Sequence, residues 1–224
     1  MIALRTVVTA ALLVVAVVPS AYGQVYVGGD APDKGSIEFG GGGMWSPGFE
    51  TGSVAADLTR SGSDRLTLFN TDGEVSGFPG FHARVGVYLS RTISVEGGVR
   101  YAKPELSYRL TDDFESAPDE TAAEVLSHYV FDGSVLFHLG SFGGGRGVPF
   151  VSGGGGYLRE LHEGNELVET GNEIHATAGL KYWFGARRFG LRVEAGLTSR
   201  EKGFDKREGR RTLPLVLGGL TMLF

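Results

Sequence analysis

The sequence predicts an all-β fold, an eight-stranded antiparallel up-and-down transmembrane β-barrel, on three observations. Several segments alternate strictly between apolar and polar residues, the period of a strand with two unlike faces. The connections between them alternate between short turns and long polar stretches, as in a barrel with unequal rims. Glycine is the compositional outlier, with 37 residues against 8 prolines and no Gly-X-Y period. Clustered inside strand-like segments (Gly40–Gly43, Gly97–Gly98, Gly153–Gly156, Gly218–Gly219), it points to the tight curvature of a small closed sheet.

Strands are expected at about 34–44, 78–89, 93–110, 124–139, 148–159, 173–184, 189–198 and 213–224. In the second, Phe81, Ala83, Val85, Val87 and Leu89 alternate with His82, Arg84, Gly86 and Tyr88. In the third, Ile93, Val95, Val99 and Tyr101 oppose Ser94, Glu96, Gly98 and Arg100. The sixth and seventh repeat the pattern, with Leu180 and Val193 on the apolar faces and Lys181, Arg192 and Glu194 on the polar ones. Pro104 interrupts the third strand, and Leu106, Tyr108 and Leu110 fall out of phase with the residues before it. A bulge or kink at that proline would explain both. Ser90–Thr92, Gly140–Gly147 and Gly185–Arg188 read as turns, whereas Trp45–Gly77, Thr111–Ala123, Glu160–Asn172 and Ser199–Thr212 read as long polar loops. Phe81, Tyr101, Tyr182 and Phe184 lie near strand ends, where a membrane barrel carries its aromatic girdles.

The two ends of the chain add to this. Arg5, the apolar run Val7–Val18 and the small-x-small triplet Ala21-Tyr22-Gly23 form the pattern of a secretory signal peptide. Residues 1–23 are therefore expected as a leader, 24–33 as a periplasmic segment and 34–224 as the barrel. The last segment, Leu213 to Phe224, has the 9–11-residue scale of a transmembrane strand, and Leu220, Met222 and Phe224 are expected to form an assembly signal. There is no cysteine, so stability must come from hydrogen bonding and packing. Loss of Arg5 with the leader leaves a net charge one unit below the −5 of the whole chain. That balance argues against nucleic acid as a partner.

These features together resemble the small outer-membrane β-barrels of the OmpA-transmembrane-domain, OmpX and OmpW-like group. The resemblance rests on the strand count, the terminal Phe224 and the segment Val148-Pro149-Phe150-Val151-Ser152-Gly153-Gly154-Gly155-Gly156-Tyr157, similar to a fifth-strand motif of that group. It implies residence in the outer membrane among lipids that include lipopolysaccharide. It also implies delivery by periplasmic chaperones and the barrel-assembly machinery, and existence as a monomer.

The polar faces bring Arg84, Glu96, Arg100, Asp132, Lys181, Arg192 and Glu194 toward one interior. The lumen of an eight-stranded barrel is wide enough only for side chains, and unpaired buried charge is costly. A structural network of paired charges is therefore expected there, with a gated ion path as the sharper alternative. His128, His138, His162 and His175 invite a catalytic or metal-binding reading. Ser127 and His128 are adjacent and point to opposite faces, however, and the hairpin tip Leu161–Glu166 matches no metal-site spacing. No catalysis, cofactor or metal is expected. The last long loop carries Arg200, Lys202, Lys206, Arg207, Arg210 and Arg211, a basic set suited to lipopolysaccharide phosphates. The expected function is a structural or surface-interaction barrel. A narrow channel or carrier for small or apolar solutes comes second, and a lipid-modifying enzyme third.

Overall fold

A computed structural model describes residues 32–59, 65–111, 119–162, 166–184, 188–203 and 209–224. The leader and most of the expected periplasmic segment lie outside the described residues. Twelve strands follow one another: β1 (Ile37–Ser46), β2 (Phe49–Thr59), β3 (Arg65–Val75), β4 (Phe78–Tyr88), β5 (Ile93–Ala102), β6 (Glu105–Thr111), β7 (Glu120–Val125), β8 (Ser127–His138), β9 (Gly147–His162), β10 (Leu167–Phe184), β11 (Phe189–Lys202) and β12 (Arg210–Leu223). No helix occurs among the described residues.

Eight strands close a barrel in the order β1-β12-β11-β10-β9-β8-β5-β4, with β4 pairing back onto β1. Every pair is antiparallel, and the seam between the first and last strands runs from Glu38↔Leu223 to Trp45↔Val216. The closure leaves no strand edge within the ring, the condition for β-structure to cross hydrocarbon. Glycine permits it at specific points. A Cβ on Gly42 would lie 2.1 Å from the Gly218 carbonyl oxygen, and one on Gly154 would lie 2.1 Å from that of Gly133. Only a residue without a side chain fits there.

The alternation sorts residues as the sequence predicts. Ile37, Phe39, Phe81, Val85, Val95, Phe131, Val135, Ile174, Leu180, Val193, Leu197 and Leu220 are exposed on the outer wall. Aromatic side chains gather at its two ends. At the short-turn end Phe39 meets Phe224 edge-on, 5.7 Å between centroids, and Tyr182 meets Phe184 at 5.4 Å. At the other end Tyr101 and Tyr129 lie 4.8 Å apart.

Two expectations are corrected at the long-loop end. Trp45–Gly77 and Thr111–Ala123 are not simple loops, because they contain β2, β3 and most of β7. These strands and β6 form a second sheet in the order β2-β3-β6-β7, which prolongs β1, β4, β5 and β8 after one- or two-residue breaks. The third predicted strand is accordingly two strands, parted at Lys103–Pro104. The change of phase there is one of polarity only. Arg100, Ala102, Leu106 and, in part, Tyr108 all face inward, so even-numbered residues stay inside across the break. What changes is the interior they meet, charged below and apolar above.

Candidate functional site

The barrel interior is the candidate site, and it divides into a charged column and an apolar mouth. Nearest the short turns, the Lys181 ammonium donates to Glu38 at 2.6 Å and to the Tyr88 hydroxyl at 3.2 Å. Glu38 also accepts from Tyr88 at 2.7 Å and from Thr221 at 2.6 Å. Lys181 is completely buried. Above it Arg192 donates from one terminal nitrogen to both oxygens of Glu96, at 2.6 and 2.8 Å, and from the other to Glu194 at 3.0 Å. Its guanidinium lies 4.6 Å from the Phe150 ring centroid. Arg84 reaches Glu194 from β4. Higher still, Arg100 joins Asp132 at 3.0 Å and also binds Glu173. Uppermost, the His128 imidazole lies 2.9 Å from Glu160, with Arg200 at 3.9 Å from the same carboxylate. Lys181–Glu38, Arg192–Glu96, Arg84–Glu194 and Arg100–Glu173 each join strands that are not neighbours in the ring, so the column ties the barrel across its bore.

All seven side chains expected in the interior, Arg84, Glu96, Arg100, Asp132, Lys181, Arg192 and Glu194, are brought into these pairs. Glu38, Glu160, Glu173 and Arg200 belong to the same column. Their inward parity could have revealed three of them: Glu160 continues Leu158, Glu173 precedes His175, and Arg200 follows Thr198. Glu38 sits before a run of glycines that hides its alternation.

Two serine–histidine contacts arise from distant strands. Ser134 Oγ lies 2.8 Å from His175 Nε2, and Ser94 Oγ lies 3.1 Å from His138 Nε2. The first pair meets across Gly154, where a Cβ would lie within 3 Å of both side chains. It borders a central cavity of about 40 Å³, lined also by His82, Arg84, Arg100 and Thr177. At roughly 10–15 Å³ per water, that volume holds about three waters. Among the described residues, no cluster of His, Cys, Asp and Glu is arranged to hold a metal ion. His162 lies 3.7 Å from Glu124; Glu163, Gly164 and Asn165 of that hairpin tip lie outside the described residues.

The mouth is closed by apolar side chains. Met44, Phe78, Ala102, Leu213, Leu215 and Leu217 from the barrel pack against Phe49, Val75, Leu106 and Leu126. Of these last four, all but Leu126 belong to the second sheet. Two guanidinium groups lie over the Phe49 ring, Arg200 at 4.1 Å and Arg211 at 4.8 Å. Arg211 also donates to the Glu50 carbonyl oxygen at 2.7 Å, linking β12 to β2.

The basic set expected at the surface is therefore split. Arg200 is a correction: it is buried at the top of the column, because β11 continues to Lys202 in the same register and keeps residue 200 inward. Arg211 is half-buried against Phe49, and Arg210 pairs with Glu201 at 3.1 Å. Lys202 ends β11; Lys206 and Arg207 lie outside the described residues. Leu220 and Phe224 are exposed on the lipid-side wall and Met222 is half-exposed beside them.

No protein-family model matches the chain, and no curated protein is similar to it in sequence. Solved structures are similar in fold. The outer membrane protein OprG from Pseudomonas aeruginosa superposes with a TM-score of 0.56 at 10% identity, covering 86% of this chain and 97% of that one. Ail, the attachment invasion locus protein of Yersinia pestis, gives a TM-score of 0.42 at 12% identity, covering 85% and 99%. The fold argument rests on the first of these, together with the closed ring of eight strands. The chain has the fold of a small outer-membrane β-barrel.

Proposed function

We propose that this chain is a non-conducting, non-catalytic outer-membrane barrel with a structural or surface-interaction role. In this reading the short turns and Phe224 face the periplasm, and the long hairpins with the β2-β3-β6-β7 sheet face outward. The carrying observation is that the bore is closed twice, by the ion-pair column and by the apolar mouth. A solute would have to break several cross-barrel pairs and displace Phe49 and Phe78. The non-catalytic part is supported by the enclosure of both serine–histidine pairs and by the Glu173 carboxylate, which Arg100 engages while His175 Nδ1 stays 3.7 Å away. The exposed set Leu220, Met222 and Phe224 is assigned to recognition by the assembly machinery before folding.

Conductance of the refolded protein in planar bilayers tests this. The wild type should be silent, and so should Phe49→Ala, because the column below remains intact. Weakening both blocks, with Phe49→Ala, Glu96→Ala and Arg192→Ala together, should raise conductance above that of Phe49→Ala alone, even with the Lys181–Glu38 and Arg100–Glu173 pairs left in place. Steady conductance of the wild type would favour the channel reading instead. Protease shaving of intact cells tests the orientation: cutting near Arg65 or Arg210 supports it, and cutting confined to the Arg188 turn overturns it.

A further inference from the structure

The pair at the foot of the column has more around it than charge balance requires. Lys181 is the one amine among the described side chains of the column; its other cations are guanidinium groups. Lys181 and Glu38 are 0% and 2% exposed and meet at 2.6 Å from β10 and β1. The Glu38 carboxyl is also held at both oxygens by hydroxyl groups. Thr221 donates to Oε1 at 2.6 Å, and Tyr88 donates at 2.7 Å to Oε2, the oxygen that faces Lys181. A second carboxylate, Glu96, lies 3.7 Å from the Lys181 nitrogen and is fixed in place by Arg192. The rings of Tyr88 and Phe150 flank that nitrogen, with centroids at 5.4 and 5.6 Å.

A salt bridge needs only the 2.6 Å contact. An amine pressed against a carboxyl, with hydroxyl donors on both oxygens and a second carboxylate beside the nitrogen, is also arranged for acyl transfer. Water would solvate the two ions and would be the product of their condensation. Excluding it therefore weakens the ion pair and favours the amide.

We propose that Lys181 and Glu38 condense to an isopeptide cross-link between β10 and β1. The ammonium passes one proton to Oε2 across the 2.6 Å contact, which leaves a neutral amine and a neutral acid. The nitrogen lone pair then attacks Cδ of Glu38, and negative charge gathers on Oε1 opposite the Thr221 hydroxyl. Glu96 takes a second proton from the nitrogen and returns it to Oε2, which departs as water. An Nζ–Cδ bond forms, a Cδ–Oε2 bond breaks, and nothing is oxidised or reduced. Glu96 also lines the central cavity, so the expelled water has a polar space beside it. The ion pair is the state from which the bond forms, slowly and only after folding has joined residues 143 positions apart. The cross-link is independent of the role proposed above.

The full chain, refolded in detergent and held at neutral pH, is followed for days by intact-protein mass spectrometry. The wild type should lose the mass of one water. A digest of the unfolded product should give one branched peptide that joins the segments of Glu38 and Lys181, in place of two linear ones. Lys181→Arg, which keeps the charge but offers no amine, should retain its full mass. Glu96→Gln keeps the size of the side chain and should slow the loss about a hundredfold, the scale of a general base. A heat-modifiable gel shift reports the folding of each variant, and the wild-type result stands whether or not they fold. Full mass in the folded wild type at the end of the incubation overturns the cross-link. So does a loss of water that maps to Asp72-Gly73 or Asp132-Gly133, where a carboxyl beside glycine can close on the backbone. An unchanged rate in Glu96→Gln overturns its part as proton acceptor.

Discussion

The lower bore and the mouth are filled from the same inward positions of the same strands, yet with opposite chemistry. On β12, Thr221 faces the charged column while Leu213, Leu215 and Leu217 face the mouth. On β5 and β6, Glu96 and Arg100 give way to Ala102 and Leu106 without any change of parity. In the lower bore the wall is already apolar on its lipid side, so polar inward residues keep the strands two-faced. At the mouth a second sheet folds against the barrel and creates an ordinary hydrophobic core. The two regions should therefore respond to mutation in different ways. Buried ion pairs are costly to break and cheap to replace as a unit, whereas apolar contacts lose stability in proportion to the cavity left behind.

The largest effect should come from Glu38→Ala. It leaves the Lys181 ammonium, completely buried, without its 2.6 Å carboxylate partner. A loss of about 3–5 kcal/mol is expected in urea unfolding of the barrel from lipid vesicles. Glu38→Leu combined with Lys181→Met should recover most of that loss, since the charge and its partner leave together. If the double variant is as unstable as the single one, the column contributes packing and not charge balance, and the contrast with the mouth disappears.

At the mouth, Leu215→Ala should cost less, about 2–3 kcal/mol, because the second sheet can settle into part of the space. Leu215 is almost wholly buried within the apolar cluster. The same vesicle assay measures it. The difference should also appear in conductance, with Leu215→Ala remaining silent while the column is intact. A loss as large as that of Glu38→Ala would mean that the mouth and the column form a single cooperative unit.

The contrast also explains what could be read from the sequence. Wherever one face meets lipid, as at Val85, Val95 and Val193, alternation is strict and the eight barrel strands are legible. Beyond the rim that lipid-facing signal ends. In β3, with Asn70, Thr71, Asp72 and Glu74, polar residues dominate, and the segment reads as loop although its backbone is paired on both sides. Arg200 was misplaced for the same reason: β11 was expected to stop at 198, but its pairing continues as far as Glu201↔Arg210. The polarity change at Pro104 looked like a shift of register because periodicity reports what each face touches, and the interior itself changes there.

The smallest effect should be at the junction between the two regions. Arg211 stacks on Phe49 at 4.8 Å and donates to the Glu50 carbonyl at 2.7 Å, so it fastens the second sheet to β12 from a half-buried position. One partly exposed cation–π contact and one hydrogen bond together amount to about 1–2 kcal/mol. Arg200 still lies over the ring, 4.1 Å from its centroid. Arg211→Ala should therefore leave global unfolding almost unchanged while the β2–β3 hairpin opens more often. Limited proteolysis in vesicles should show faster cleavage in β2 or β3, with the barrel fragment intact. Arg211→Lys, which retains the charge but not the flat stacking surface, should fall between the two. Equal cleavage rates in all three proteins would show that the apolar cluster alone holds the sheet in place. A loss as large as that of Leu215→Ala would instead make the latch part of the core.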